Sequence, residues 1–457
     1  MIVMKFGSSS LKDTKSVQQV AAIIKSYGFA QRIVVLSAVN TVTDLLISGI
    51  NRALKNENCI PDIIQEISNL HLPYLNEKMM TSSSLKTAKK EINKQLDTLK
   101  RLLQGISYTK EATSRNCDHI VTIGERLSVQ IMKGCLESLN CKAAVVETDR
   151  IGLLAKGEWG NGSVDLEASK RPVFNFIHNI LKTSSIPLVT GFFGQTKKGE
   201  PITFGRGGSD YSSAVLAHLV NAKRLEIWKD VDGFLNGSPE FIEQPKPLKN
   251  LSYDEAAELS YFGAKILHPR TVEPLFKDSI PIVIKNTYNP NEIGTWINGK
   301  KWITKEIIKS ITYDKNIAML RIHGVDVGYT VGLLGNLVTS LSKAHINIRS
   351  VMTSQTCINI ILDQNDINKG YAMIKKLDLV EIDQIDLIKE IGLVGIVGEG
   401  LAESEEPLKK VIETMGKKNL HAELFVTGAS KIASYFIIQQ NKLEQAVQAA
   451  HNTIFNQ

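Results

Sequence analysis

The chain has 457 residues, which is more than one ordinary hydrophobic core supports, so we predict two or three domains. Hydrophobic residues make up 43% and charged residues 22% of the sequence, which is an ordinary globular composition. The formal net charge is +7, but the basic residues are dispersed and aromatic residues make up only 6%, so we expect no nucleic-acid partner.

The cysteines and the N-terminal segment indicate the compartment. The five cysteines include no CxxC pair and no zinc-ligand spacing, so we expect reduced thiols and no metal held by dedicated ligands. The N-terminal residues lack the layout of a signal peptide, and no apolar run approaches the ~20 residues that a membrane span needs. We therefore predict a cytoplasmic protein that has no membrane partner.

The first ~300 residues alternate short apolar runs with helical stretches, which is typical of a doubly wound, mainly parallel α/β domain. The predicted strands are residues 2–6, 33–39, 143–147, 187–193, 225–230 and 280–285. Their almost continuous apolar character indicates burial on both faces of the sheet. Between them, Ile92, Leu96, Leu99 and Leu103 follow helical spacing and predict an amphipathic helix.

After residue 300 the pattern changes to an internal repeat of two βαββαβ units. The first unit has strands at 317–322, 346–352 and 357–362 and helices at 330–344 and 367–377. The second has strands at 393–397, 422–427 and 432–438 and helices at 406–418 and 443–454. Neither copy carries a cluster of residues able to do chemistry. The repeat predicts two ferredoxin-like domains that sense a ligand or pair subunits.

Lys5-Phe6-Gly7-Ser8-Ser9-Ser10 follows the first predicted strand, at the sheet edge where open α/β folds bind ligands. A lysine followed by glycine and hydroxyl residues offers a positive charge and backbone N–H groups to phosphate oxygens. The Walker A pattern is absent. A solvated lysine beside a turn is the alternative interpretation, and this motif alone does not decide between them.

The segment from Thr203 to Ala214 is more specific, because it reads TFGRGGSDYSSA at the start of a predicted helix. Glycines there let the backbone approach a ligand, and we interpret Ser209 as the helix N-cap. The guanidinium of Arg206 suits bidentate capture of a carboxylate, and Asp210 is placed to orient a lysine or a metal-bound nucleotide. A capped helix with a surface arginine is the alternative.

Three further segments supply polar groups: residues 37–43 carry hydroxyls, residues 124–128 carry a carboxylate near a helix start, and residues 262–269 carry a second lysine. Phosphoryl transfer to a carboxylate needs positive charge at the γ-phosphate, Mg²⁺ between the phosphates and an in-line acceptor. Lys5 and Lys265 fit the first requirement. Acceptor binding fits Ser37, Thr43, Glu125 and Arg206.

At these residues the sequence resembles the aspartokinases of the amino-acid-kinase family, and the resemblance runs essentially from end to end. Its most specific motifs are residues 191–194, 205–210, 230–233 and 263–269. The resemblance implies ATP-dependent phosphorylation of the β-carboxylate of L-aspartate, with Mg²⁺, as the first step towards lysine, threonine and methionine. It also implies a catalytic domain over residues 1–300 and two ACT domains over 314–390 and 391–457.

The resemblance implies a role for each matching side chain. Catalysis falls to Lys5, Asp210 and Lys265. Aspartate binding falls to Ser37, Thr43, Glu125, Phe192, Arg206 and Ser209. Nucleotide binding falls to Lys5, Gly7, Ser8, Ser9, Trp228, Lys229, Asp230 and Lys265. No residue is assigned as a dedicated metal ligand.

The resemblance also implies a homodimer or higher homo-oligomer formed through the ACT domains, with an amino-acid effector such as lysine or threonine. The effector residues it suggests are Met319, Ile348, Arg349, Thr353 and Ser354. Lysine-sensitive relatives often carry an acidic residue where this chain has Arg349. A guanidinium there would repel a second cation, so we expect lysine to inhibit poorly.

Two departures from the family pattern bear on activity. Ser8 replaces a loop glycine, and Glu240 stands where an arginine usually reaches the nucleotide phosphates. We therefore expect weak ATP binding, and two alternatives stay open. One is a weakened paralogue that acts as an ACT-dimerised regulatory protein, and the other is a kinase of the same fold in a specialised pathway.

Overall fold

The computed structural model of the chain describes residues 1–28, 31–264, 266–303 and 307–455. The chain divides into two compact units. The first contains residues 1–234, 247–257 and 265–301, and the second contains residues 235–246, 258–264 and 302–457. No helix in the described part of the chain is both long enough and apolar enough to cross a membrane.

The elements up to residue 298 mix strands and helices, with five helices in succession between the second and the third strand. They are β1 (Ile2–Phe6), α1 (Thr14–Ser26), β2 (Arg32–Leu36), α2 (Val42–Lys55), α3 (Ile60–His71), α4 (Ser82–Thr109), α5 (Ser114–Val121), α6 (Ile123–Ser138), β3 (Ala143–Val146), β4 (Ala155–Glu158), β5 (Asn161–Val164), α7 (Leu166–Lys182), β6 (Ile186–Thr190), β7 (Phe193–Gln195), β8 (Pro201–Thr203), α8 (Gly208–Leu219), β9 (Leu225–Lys229), β10 (Asn250–Ser252), α9 (Tyr253–Leu259), α10 (Glu273–Phe276), β11 (Ile282–Asn286) and β12 (Thr295–Asn298).

Eight of these strands form one sheet in the order β10-β12-β11-β9-β1-β2-β6-β3. The six strands from β11 to β3 pair in parallel, and β12 is antiparallel to β11. The chain builds outwards from β1 through β2 on one side and through β9 on the other. The carboxyl end of β1 is therefore a topological switch point, which is where open α/β sheets bind ligands.

The strands are buried as their composition predicts, since all five residues of β1 and of β2 are inaccessible to solvent. β2 ends at Leu36, three residues before its predicted end, because Ser37 and the following residues leave the sheet. The predicted helix with four apolar residues at helical spacing is α4, and all four side chains are buried in the core of this unit. The doubly wound, mainly parallel fold is thus confirmed.

The second unit holds the predicted repeat. Its elements are β13 (Ser310–His323), α11 (Leu333–Lys343), β14 (Ile348–Thr353), β15 (Cys357–Asp363), α12 (Ile367–Lys375), β16 (Gln384–Val397), α13 (Glu406–Lys417), β17 (Leu424–Val426), β18 (Ala433–Gln439) and α14 (Leu443–Phe455). The ferredoxin-like class of this region is confirmed.

The two copies of the repeat share one antiparallel sheet, in the order β14-β15-β13-β16-β18-β17. The central strands β13 and β16 each have 14 residues and run through both copies. Ser310 to Asp314 pairs with Val397 to Leu393, so the strand that completes the second copy precedes the first copy in the chain. Each copy has its own apolar core beneath this sheet.

Candidate active site

A cavity of about 370 Å³ opens in the first unit at the carboxyl ends of β1, β2 and β9 and at the N-terminus of α8. It gathers most of the side chains that the sequence predicts for substrate and nucleotide binding. Those predicted residues are Lys5, Gly7, Ser8, Ser9, Ser37, Thr43, Glu125, Phe192, Arg206, Ser209, Asp210 and Lys229. They come from six separate segments of the chain, and only the folded sheet brings them to one place.

Two ammonium groups face one carboxylate in this cavity. Lys5 Nζ lies 2.5 Å from Asp210 Oδ1, and Lys229 Nζ lies 3.6 Å from Asp210 Oδ2. Burial lowers the pKa of Lys5 against the attraction of Asp210. Burial alone would raise the pKa of Asp210, but the two lysines outweigh it and hold that pKa below its usual value. The cluster therefore carries one net positive charge in a buried setting.

Glu125 lies in the first turn of α6 and is only 3% exposed. Its Oε1 accepts a hydrogen bond from the Ala38 amide at 3.2 Å, whereas no donor among the described residues reaches the buried Oε2. Burial raises the pKa of Glu125 to about 8, although Lys5 opposes this rise. A buried carboxylate oxygen without a donor is costly, so the site fits a ligand that brings an N–H group to it.

Arg206 is exposed on the wall of the same cavity, and no carboxylate among the described residues pairs with it. The glycines on either side of it have left-handed φ values of 70° at Gly205 and 73° at Gly207. A Cβ at Gly207 would lie 2.4 Å from Cγ of His268. Only glycine meets both the conformation and the close contact, so the loop holds the guanidinium at the surface of the cavity.

The N-cap of α8 corrects the sequence prediction. The helix begins at Gly208, its N-cap is Gly207, and no side chain caps it, so Ser209 is already in the first turn. The Gly208 amide donates to the Gly205 carbonyl at 2.9 Å, so within the described residues the amides of Ser209 and Asp210 are the ones in the first turn that stay available to an anionic ligand. Ser209 lines the cavity from this first turn, in keeping with its predicted place.

Phe192 adopts a φ of 78°, which is rare for a bulky side chain. Its amide donates to Ser212 Oγ at 3.1 Å, and its carbonyl accepts the amide of Phe204 at 2.9 Å. These two hydrogen bonds hold the residue in a strained conformation beside the Arg206 loop. Such strain is concentrated at functional sites, in agreement with the predicted place of Phe192 in the substrate pocket.

The serine at position 8 causes no backbone strain. Ser8 to Ser10 forms a short 3₁₀ turn, and Ser8 is absent from the residues with positive φ. The glycine that matters is Gly7, where a Cβ would lie 3.1 Å from Lys5 Nζ. The loss of a loop glycine at position 8 therefore leaves the turn and the lysine in place.

Two of the predicted nucleotide residues, Trp228 and Asp230, do not line this cavity with their side chains. The side chain of Trp228 is 1% exposed, and its ring stacks on Phe6 with centroids 5.7 Å apart. Its indole N–H donates to Glu226 Oε2. The prediction that Trp228 borders the nucleotide is therefore wrong for its side chain. The Trp228 carbonyl instead accepts from Ser10 Oγ, and only the strand end reaches the cavity, through Lys229. Asp230 is exposed just past β9 and does not line the cavity, and Lys265 lies outside the described residues.

Sequence reasoning missed two polar side chains of the cavity wall. Asn40 and Asp44 line it beside Thr43, and Asn40 adopts a left-handed φ of 45°. Asparagine tolerates this conformation better than most residues, which is the only signal that the sequence offers at position 40. Asp44 follows the hydroxyl-rich segment directly, but an acidic residue in a first helical turn also has an ordinary capping explanation.

In the second unit, Thr353 and Ser354 line a surface cavity of about 490 Å³. Gly332 and Gly335, at the N-terminus of α11, form part of the opposite wall. Met319 is fully buried in β13, and neither it nor Ile348 lines this cavity. The predicted effector residues therefore do not form one site in this unit.

Arg349 corrects the prediction made for it. Its guanidinium lies 3.1 Å from carboxylate oxygens of both Asp314 and Asp363, and it donates to the Tyr261 carbonyl at 2.7 Å. The side chain is 16% exposed and does not line the cavity of Thr353. Because two carboxylates compensate its charge, Arg349 is not a free cation that would repel an effector.

Glu240 also has partners of its own. Its carboxylate accepts a hydrogen bond from the Tyr313 hydroxyl and lies 2.8 Å from Lys315 Nζ, all within the second unit. A bare negative charge at this position was the reason to expect weak ATP binding. Since Lys315 compensates that charge, the expectation loses its physical basis.

The residues of the cavity fit a divalent cation only as part of a nucleotide complex. No group of three His, Cys, Asp or Glu side chains converges in the described ranges as a resident metal requires. Both oxygens of Asp210 already face ammonium groups. Mg²⁺ usually keeps several waters and takes phosphate oxygens with one or two carboxylates, so such an ion would arrive with its nucleotide.

Comparison with known proteins agrees with this geometry. Residues 1–286 match the model of the amino acid kinase family. The chloroplastic aspartokinase 1 of Arabidopsis thaliana is 31% identical over 99% of this chain and 80% of its own length. A bifunctional aspartokinase/homoserine dehydrogenase of Buchnera aphidicola is 33% identical over the whole chain, which spans 56% of that relative.

Two solved structures share the fold. The crystal structure of E. coli aspartokinase III in complex with aspartate and ADP has a TM-score of 0.84 at 24% identity and covers both chains completely. The aspartate kinase of Clostridium acetobutylicum has a TM-score of 0.76 at 25% identity, over 99% of this chain and all of its own. With the identities over nearly the full length, these matches place the chain among the aspartokinases, the amino acid kinases that transfer a phosphoryl group from ATP to aspartate.

Proposed function

We propose that the cavity at the end of β1 binds L-aspartate and ATP together, and that transfer of the γ-phosphoryl group to the β-carboxylate takes place beside Lys5. The observation that carries this proposal is the buried group of Lys5, Lys229 and Asp210. It faces the same cavity as Arg206 and Glu125. Positive charge for phosphates and two groups that suit the carboxylate and the ammonium group of an amino acid thus face one cavity.

Arg206 and Glu125 act on the aspartate backbone. The guanidinium of Arg206 has no carboxylate partner among the described residues and suits the α-carboxylate. The buried Oε2 of Glu125 has no donor in the described part of the chain and suits the α-ammonium group. An amino acid held at both charges directs its side chain towards the lysines, and the hydroxyls of Ser37, Thr43 and Ser209 line the same wall.

The transfer itself needs little covalent help from the protein. An oxygen of the ionised β-carboxylate attacks the γ-phosphorus, the bond from that phosphorus to the β–γ bridging oxygen breaks, and ADP leaves with the electron pair. Because the acceptor is already ionised at neutral pH, no general base is required. Lys5 and Lys229 stabilise the charge that gathers on the phosphoryl oxygens, and Asp210 holds both ammonium groups in position.

Mg²⁺ completes the substrate. Bound with ATP, it would neutralise charge on the β- and γ-phosphates. The groups of the cavity that would hold such a complex are the ammonium groups of Lys5 and Lys229 and the hydroxyls of Ser8 and Ser9. These groups bind phosphate oxygens and orient the nucleotide at the switch point of the sheet.

A coupled ADP-release assay tests the proposal. Aspartate should support turnover, whereas homoserine, which lacks the acceptor carboxylate, should not, and glutamate serves as the control for side-chain length. Lys5→Ala should lower kcat by about a hundredfold or more, because one donor that stabilises transition-state charge is typically worth ~3–4 kcal/mol. Circular dichroism checks that the variant is folded. A folded Lys5→Ala protein that keeps more than about a third of the wild-type kcat would show that Lys5 has another role.

The alternative of a catalytically weakened regulatory paralogue is not favoured. The two departures that motivated it leave the site intact, since Ser8 causes no strain and Glu240 is ion-paired with Lys315. Lys5, Asp210 and Glu125 are buried and line one cavity, which supports an active site. A kinase of a specialised pathway would use the same site and the same assay.

We also propose that the second unit mediates homodimerisation and binds an amino-acid effector. The cavity lined by Thr353 and Ser354 lies at the N-terminus of α11, where free backbone N–H groups favour a carboxylate. The crystal structure of E. coli aspartokinase III in complex with lysine and aspartate, with a TM-score of 0.82, gives the fold-level precedent for an effector. Isothermal titration of candidate amino acids into the protein will identify the effector of this chain.

A further inference from the structure

The loop that carries Arg206 rests on a turn from a distant part of the chain. This turn joins β4 to β5 and contains Gly160. A Cβ on Gly205 would lie 2.9 Å from the Gly160 carbonyl oxygen, so the two backbones are in direct contact. Arg206 has no carboxylate partner among the described residues, and its direction therefore depends on the loop backbone. Whatever holds the turn also determines where the guanidinium points.

Arg270 joins the turn to the start of the loop. Its Nη1 donates to Asn161 Oδ1 at 3.1 Å and to the Phe204 carbonyl at 3.0 Å. Its Nη2 donates to the Gly162 carbonyl at 2.8 Å and to Ser163 Oγ at 3.0 Å. One planar guanidinium thus binds three successive residues of the turn region and the residue just before Gly205. A lysine has no fork of donors that could reproduce this arrangement.

Tyr211 supports the guanidinium from behind. The Arg270 Cζ lies 4.5 Å from the centroid of the Tyr211 ring, and the ring packs edge-on against Phe204. The hydroxyl of Tyr211 accepts the amide of Val164 at 3.1 Å. Since Tyr211 belongs to α8, the helix that begins directly after the loop, Arg270 is fixed to the loop on both of its sides.

Asp118 makes a second connection between the same two segments. Its Oδ2 accepts the Gly160 amide at 3.0 Å and the Thr203 amide at 2.8 Å, and its Oδ1 accepts the Thr203 hydroxyl at 2.8 Å. The residue is 3% exposed, so these are buried charge-assisted hydrogen bonds. Neither Asp118 nor Arg270 lines the candidate cavity.

We propose that Arg270 and Asp118 are positioning residues for aspartate. Together they form a clamp that holds Gly160 and the first residues of β5 against Thr203 and Phe204 and thereby places Arg206 for the substrate carboxylate. This inference rests on the proposed function, in which Arg206 binds aspartate. Misplacement of a binding group by about 1 Å can cost as much as two orders of magnitude in rate, so a clamp outside the cavity controls the reaction. Arg270 and Asp118 act on Arg206 and touch no reacting atom.

A double-mutant cycle on kcat/KM for aspartate tests the clamp. Arg206→Ala should lower kcat/KM by about thirtyfold or more, as loss of one partner of a charge pair does. Arg270→Ala should lower it by about tenfold, mainly through KM for aspartate, with KM for ATP within about twofold. The double variant should be no worse than Arg206→Ala by more than about threefold, because the clamp acts through a side chain that is already absent.

The possible results distinguish failure of the proposed clamp from failure of the proposed function. If Arg206→Ala leaves aspartate kinetics unchanged, the proposed role of Arg206 fails. If Arg206→Ala acts as expected but Arg270→Ala leaves KM for aspartate unchanged, or its effect multiplies fully in the double variant, the positioning role fails. Arg52→Ala is the matched control, because Arg52 forms an exposed ion pair with Glu66 in the same unit and should leave both KM values unchanged.

Conservative variants keep the test decisive should Arg270→Ala not fold. Arg270→Lys retains the charge but not the fork, so it should raise KM for aspartate nearly as much as the alanine variant. Asp118→Asn can still accept the two amides through Oδ1, so it should raise KM for aspartate by no more than about threefold, whereas Asp118→Ala should raise it by about tenfold. Wild-type KM values for Arg270→Lys, or equal effects of the two Asp118 variants, would overturn the proposal.

Discussion

Glu125 illustrates how position in the fold changes the chemistry of a single residue. In water its carboxyl group has a pKa of 4.5, but burial raises that pKa to about 8. The free protein therefore holds Glu125 protonated near neutral pH, and the ammonium group of a bound substrate favours its ionised form. The residue is poised for binding at a cost to stability, as is common in active sites.

This cost predicts a pH-dependent effect of Glu125→Gln. Between about pH 5 and pH 8 the unfolded chain ionises Glu125 while the folded protein keeps the proton, so wild-type stability falls as the pH rises. Glutamine cannot ionise, so the Glu125→Gln variant does not lose stability in this way as the pH rises. The stability of the variant relative to the wild type should therefore increase from pH 5 to pH 8 by more than about 1 kcal/mol, since one pKa unit is worth about 1.4 kcal/mol.

Thermal or urea unfolding at both pH values measures this difference. Glu66→Gln is the control, because an exposed hydrogen bond from Arg52 lowers the pKa of Glu66, and its replacement should give no such gain. A constant or shrinking difference between Glu125→Gln and the wild type would contradict the buried, protonated state. The same variant should raise KM for aspartate.

At the scale of elements, the loop before α8 is the feature that links sequence and site most directly. Its glycines are required for two reasons: their φ values are left-handed, and neighbouring atoms leave no room for a Cβ. Gly205 contacts the Gly160 carbonyl, and Gly207 contacts the ring of His268. The start of α8 is therefore set by packing against these two segments and not by a capping side chain.

A comparison of Gly207→Ala with Gly199→Ala separates two contributions to the loss of stability: the close contact with His268 and the left-handed backbone conformation. Both glycines have a left-handed φ, of 73° and 78°, but a Cβ at Gly199 meets nothing within 4 Å. Gly199→Ala should cost about 1 kcal/mol of stability for the backbone alone. Gly207→Ala should cost about 1–3 kcal/mol more, because the loop must move away from His268. It should also raise KM for aspartate at least about tenfold, since Arg206 moves with the loop.

Urea unfolding and aspartate kinetics measure these effects. Equal costs for the two substitutions would mean that the contact with His268 does not constrain the loop. A Gly207→Ala protein that loses stability but keeps the wild-type KM for aspartate would show that the conformation of the loop is not needed for substrate binding.

In the molecule as a whole, the second unit differs most from what its sequence repeat indicates. Two copies in the sequence form one continuous sheet, because β13 and β16 each serve both copies. Asp314 in β13 and Asp363 in β15 are also the partners of Arg349 in β14. The arginine therefore belongs to the internal structure of the sheet and cannot set effector specificity by repulsion.

Lysine should still bind weakly to the cavity lined by Thr353 and Ser354, for a different reason. None of the described residues that line the cavity of Thr353 and Ser354 is Asp or Glu. A lysine ε-ammonium would forgo a charged hydrogen bond worth about 1.5–3 kcal/mol, or about tenfold to a hundredfold in affinity. Isothermal titration of lysine against threonine measures this. Micromolar lysine binding that is lost in Ser354→Ala would contradict the prediction, and Arg349→Met should not improve lysine affinity.

Local sequence patterns are enough to predict the features that short segments encode. Six buried strands, the amphipathic α4, and the chemistry of Lys5, Arg206 and Asp210 follow from local patterns, because strand ends and glycine turns impose the same geometry in many folds. The carboxylate of Glu125 near a helix start is also such a local pattern, whereas Phe192 is indicated only by the family resemblance.

The roles of side chains that contact distant segments of the chain become clear only in the folded structure. Trp228 is turned into the core by its stacking on Phe6, and Arg349 is neutralised by carboxylates on two other strands of its sheet. Arg270 binds a turn that precedes it by more than a hundred residues. A lone arginine or tryptophan has the same local sequence signal whether it binds a ligand or supports a loop, and the difference lies in which distant segments the completed sheet brings beside it.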